Sequence, residues 1–89
     1  MNDPYKYPFV VVEWTDTVSS STWRDDKDED LPTVTVVLSA GWLLRDFPDY
    51  VVVAATRQVT TDKDPDGTFS EITAIPRGVI VSVRTVTNF

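Results

Sequence analysis

Carboxylates are the reactive groups this chain offers in quantity, and two short runs concentrate them. Residues 25 to 30, DDKDED, place five acids in six positions. Residues 62 to 67, DKDPDG, reproduce the start of an EF-hand loop, where alternate aspartates converge on calcium and a glycine makes the turn. The second match is incomplete. Thr73 stands where the bidentate glutamate belongs, Glu71 falls two residues early, and the flanks have strand patterns instead of helical ones. The run is therefore read as a solvated hairpin turn, and no metal is assigned.

Hydroxyls cluster at Ser19, Ser20, Ser21 and Thr22, and amines occur at Lys6, Lys27 and Lys63. The chain has no histidine and no cysteine. No imidazole is present to activate a hydroxyl, no thiolate can attack or bind zinc, and lysines in polar surroundings stay protonated. No catalytic residue and no cofactor are assigned, and the expectation is a protein that is not an enzyme. Absence of cysteine also removes any disulfide framework, which makes an intracellular, cytoplasmic location the expected one.

The acidic run acquires a sharper meaning from its neighbour STWR. Like charges repel and keep a loop extended and soluble. An exposed Trp23 beside Arg24, rimmed by Asp25, Asp26, Asp28 and Glu29, also has the composition of a protein-binding hot spot: the aromatic supplies area and the acids steer a basic partner. The charge is unevenly placed. Residues 1 to 30 carry eight acids and three bases, a net of −5, while residues 31 to 89 carry six and five, a net of −1, together the −6 of the chain. Such a field disfavours phosphate backbones, so nucleic acid is not the expected partner. The acids sit in one loop and are not laid out at duplex spacing, which favours a local contact over DNA mimicry.

Five apolar runs rich in β-branched residues must carry this loop: FVVVEWT, TVTVVLSAGWLL, YVVVAATRQV, FSEITAI and GVIVSVRTV. All read as strands. In the second, Val34, Val36 and Leu38 alternate with Thr33, Thr35 and Ser39, which predicts that the valine and leucine face is buried; Val79, Val81 and Val83 alternate in the same way in the last. Trp14 and Trp42, on strand patterns, are expected in the core. The first connection, about Asp16 to Pro32, is longer than a hairpin needs. The others are RDFPD, TTDKDPDGT and IPRG, each with turn chemistry.

Eighty-nine residues form one domain, 1 to 89. Five short strands left open would expose edges, so the expected architecture is all-β: a small, five-stranded, strongly bent barrel, with Gly41 permitting a bend or bulge in the second strand. No apolar run approaches the length of a membrane span, and the opening MNDPYKYPFV lacks a signal-peptide pattern, so no membrane role is expected.

VVLSAG at 36 to 41, a hairpin into DYVVV, and the later PRGVIVSV resemble the motifs of Sm-like proteins, whose small barrel is of the Src-homology-3-like type. In that family the position matching Arg77 and Gly78 lies near the RNA-binding rim of a ring. A second likeness, through Trp14, Trp23, Gly41 to Leu43 and Ile75 to Gly78, is to short phage and prophage proteins, which often act on host machinery or host defence by binding. The resemblance implies a non-enzymatic phage or prophage protein that captures a host protein through the acidic loop. One alternative is a homo-oligomer assembled through edge strands that sequesters a small nucleotide, with Arg45, Arg77 and Gly78 as ligand-binding residues. Another is a virion or assembly component.

Overall fold

A computed structural model of the chain describes residues 7–19, 21–59 and 67–87. The five runs rich in β-branched residues form five strands, β1 (Phe9–Asp16), β2 (Thr35–Asp46), β3 (Tyr50–Gln58), β4 (Thr68–Pro76) and β5 (Ile80–Thr85), with a 3-10 turn at Arg77–Val79. All pair antiparallel in one sheet of order β4-β3-β2-β1-β5. The 62 to 66 part of the DKDPDG run lies outside the described residues. Its last residue, Gly67, has φ 83, a left-handed conformation natural to glycine in a hairpin turn.

The sheet is curled. Its two edges, β4 and β5, are joined by only the three residues of the 3-10 turn. In a flat sheet four strand spacings would separate them by roughly 19 Å, whereas so short a connection reaches about 14 Å at most. Curling brings Val10 and Val12 of β1, Val51 and Val53 of β3 and Ile75 of β4 into one buried cluster. Trp14, Leu43, Val79, Ile80 and Val83 pack against it, so every strand contributes to the concave side. The sheet is nonetheless open: among the described residues no ladder joins β4 to β5.

Two register shifts shape the curl. Glu13 pairs with Ser82 but Trp14 pairs with Ile80, which leaves Val81 as the extra residue, 60% exposed. Leu43 pairs with Val53 but Arg45 pairs with Val52, which makes Leu44 the extra residue in β2. The irregularity expected at Gly41 therefore lies beyond it. Gly41 serves a different need: a Cβ there would stand 2.2 Å from the Ala54 carbonyl oxygen and 2.9 Å from Val53 Cγ1. β2 and β3 touch backbone to backbone at this point, and only glycine fits.

Beyond that contact the two strands part. The β2–β3 ladder covers Trp42 to Asp46 of β2, while Thr35 to Gly41 pair with β1 alone. The expected burial of Val34, Val36 and Leu38 is overturned here, since they are 69%, 61% and 64% exposed. Register with β1 turns Val37, Ser39 and Gly41 inward, opposite Trp14, Val12 and Val10. The alternation was real, and its apolar half faces solvent. Trp14 is half-buried against the core, its Nε1 donating to Ser39 Oγ at 3.0 Å. Trp42 is half-buried in an edge-to-face contact with Phe9, centroids 5.2 Å apart.

Candidate functional site

Between Asp16 and Thr35 the chain leaves the sheet, and here every described residue from Thr17 to Val34 except the half-buried Asp28 is exposed. The acidic run does not remain extended. Asp25 and Asp28 have side chains short enough to bond the backbone two residues on, and both do so: Lys27 N–H donates to Asp25 Oδ1 at 3.0 Å, and Asp30 N–H donates to Asp28 Oδ1 at 2.8 Å. A backbone bond from Asp28 N–H to the Asp25 carbonyl at 3.1 Å closes the turn. The Lys27 amide, and secondarily Asp26, hold the Asp25 carboxyl below its ordinary range.

Arg24 Nη1 donates to Asp28 Oδ2 at 3.2 Å, so one base of the run is tied to one of its acids. Trp23 precedes this turn and is 99% exposed, its indole presented to solvent. The structure thus brings Trp23, Arg24, Asp25, Asp26, Asp28 and Glu29 together on one exposed turn, with the local geometry set by hydrogen bonds of the acids themselves.

The arginine set lies elsewhere. Arg77 follows β4, and its guanidinium bonds the Asp46 carboxylate and, through Nε at 3.3 Å, the Phe47 carbonyl, while its own N–H donates to Asp49 O at 2.9 Å. Arg45 Nη1 donates to the Leu44 carbonyl at 2.7 Å. Both expected phosphate donors thus make bonds within the chain, and Arg77 fastens the 3-10 turn to the β2–β3 hairpin. Gly78 has open space around its Cβ position, so no close approach requires glycine there.

A scan of protein-family models and searches of curated proteins and solved structures found no match to this chain.

One feature that sequence reasoning missed lies at the fork between β2 and β3. Ser39, Ala40, Val53, Ala55, Glu71 and Thr73 line a cleft of about 170 Å³. The β3–β4 register keeps step from Ala54 and Ile72 to Thr56 and Ser70, but the intervening Ala55 and Glu71 are not paired. Glu71 adopts φ 54, a conformation that disfavours any residue with a Cβ by on the order of 1–2 kcal/mol. Its Oε1 accepts from Thr56 Oγ1 at 3.2 Å. Nothing in the local sequence, FSEITAI, marks this position, because a β-propensity pattern is silent about φ. Among the described residues no three acidic side chains converge to hold a metal ion, and no helix is long and apolar enough to cross a membrane.

Proposed function

We propose that this is a non-enzymatic binding protein of phage or prophage type that captures a host protein through the loop carrying Trp23, Arg24, Asp25, Asp26, Asp28 and Glu29. The five strands serve as its scaffold, a Src-homology-3-like or Sm-like barrel left open between β4 and β5. The observation that carries the reading is Trp23, 99% exposed beside an internally hydrogen-bonded acidic turn. A partner that covers this indole removes a large apolar area from water, and an aromatic set among fixed charges has the anatomy of an interface anchor. The acids select the partner's sign, which is basic, and raise its encounter rate.

The test compares the wild type with Trp23→Ala and with the triple Asp25→Asn, Asp26→Asn, Asp28→Asn variant in capture from host lysate, followed by association kinetics with the recovered partner. Asparagine keeps the side-chain oxygens that accept from Lys27 and Asp30, so the turn survives while the charge is removed. Trp23→Ala should melt with the wild type and weaken the complex by roughly 30-fold or more, as expected of a hot-spot aromatic. The triple variant should associate more slowly and with a flatter salt dependence. Equal recovery of one partner by all three proteins would remove the loop as the contact.

A further inference from the structure

We propose a second interaction surface, independent of the Trp23 loop: the free edge of β2 from Thr35 to Ala40 accepts an extended peptide segment carrying basic residues, which adds to the sheet as a strand. Three observations meet there. First, these residues pair with β1 on one side, and the β2–β3 ladder begins only at Trp42, so the β3-facing edge carries unpaired backbone groups. Such an edge is a template for strand addition. Second, the outward side chains of this stretch are apolar. Val36 and Leu38 stand exposed in alternation, in line with Val34 before the strand begins. An added strand places every second side chain beside them, and its alternate side chains toward the inner face.

Third, the inner face at the fork presents a carboxylate. Glu71 lines the cleft together with Ser39 and Ala40 of this same edge, in a left-handed conformation that sets it outside the β3–β4 pairing. A lysine or arginine on the inner face of the added strand meets Glu71, while apolar residues on its outer face meet Val36 and Leu38. The loop next to this edge carries the acids of residues 25 to 30, which attract a basic segment and repel a second copy of the same acidic chain. The occupant is therefore an extended segment alternating apolar and basic residues.

The experiment uses the full chain and a capped eight-residue peptide alternating valine and lysine, with an alternating valine and glutamate peptide as control. Backbone amide shifts and hydrogen-exchange protection are followed on titration. The valine–lysine peptide should shift and protect amides between Thr35 and Ala40, and the valine–glutamate peptide should leave them unchanged. Glu71→Gln should weaken binding by roughly tenfold, in line with loss of one close charge pair. Leu38→Ser should weaken it without altering the melt, and Trp23→Ala should leave it as in the wild type. Absence of saturable binding, shifts confined to residues 21 to 30, or equal binding by Glu71→Gln would each overturn the proposal. So would concentration-dependent dimerisation that protects the same amides without peptide. Since the Trp23 variant is predicted to be silent here, failure of this surface and failure of the loop are told apart.

Discussion

Gly41 shows how a residue read as structural from its context can meet a need that context does not display. Its flanking apolar runs suggest a need for unusual torsion, but the requirement is room: the Ala54 carbonyl occupies the space of a Cβ. Gly41→Ala should therefore already destabilise the fold by about 1–3 kcal/mol, since the obstructing atoms are backbone and cannot rotate aside. In a domain of this size that is a fall in melting temperature of roughly 4–8 °C for each kcal/mol. Alanine melting with the wild type would mean that β2 and β3 do not approach as described. Trp23 and Glu71 mark the other limits of legibility at this scale. The exposure of Trp23 was foreseeable because it sits outside any alternating pattern. Glu71 was invisible, because its role arises from a backbone angle and from a cleft between strands distant in sequence.

The strands themselves were legible almost to their ends, because β-branched residues bounded by turn residues leave few alternatives: YVVVAATRQV became Tyr50–Gln58 and FSEITAI became Thr68–Pro76. Which face of β2 turns inward was not. Alternation fixes a period of two, whereas phase is set by the partner strand, and pairing with Val10, Val12 and Trp14 selected Val37, Ser39 and Gly41. The residues IPRG mark the connection between β4 and β5 as one turn, but nothing in them marks the use of Arg77. It ties the turn to Asp46, and this pair is exposed, with side-chain exposure of 39% and 58%, so its worth is small. Arg77→Ala should lower stability by less than about 1 kcal/mol in urea unfolding. Millimolar ATP should leave the wild-type melting temperature unmoved, because the guanidinium is already engaged. A saturable rise with nucleotide that Arg77→Ala abolishes would restore the arginine set as a ligand site.

As a whole the molecule measures 61 × 25 × 22 Å, with a radius of gyration of 17.4 Å, well above the roughly 12 Å of a compact chain of this length. Twelve residues, the longest strand, extend only about 40 Å. The remaining length requires chain that projects from the sheet. The loop between Asp16 and Thr35 is the longest connection described, and its residues contribute nothing to the buried cluster. Replacing residues 17 to 34 by Asn-Gly, a dipeptide suited to a two-residue hairpin, should leave the fold intact and raise its stability by on the order of 2 kcal/mol through the shorter closure. Circular dichroism melts would measure this, and a lower melting temperature would show that the loop supports the core.

The strand order has a consequence for how the chain comes to be folded. β1 precedes the other four strands along the chain, yet it lies between β2 and β5 in the sheet, so one of its two partners is the last of the five to be synthesised. Until Ile80 to Thr85 emerge from the ribosome, Val12 lacks its cross-strand partner Val83, and Trp14 lacks Ile80. Full pairing of β1 therefore awaits synthesis of β5, and it closes the longest loop between paired strands of this sheet, a non-local step of the kind that slows folding. For that interval β1 pairs with β2 alone and offers its other edge, a valine-rich template for wrong pairing that adds to the open edge the finished sheet keeps along β2.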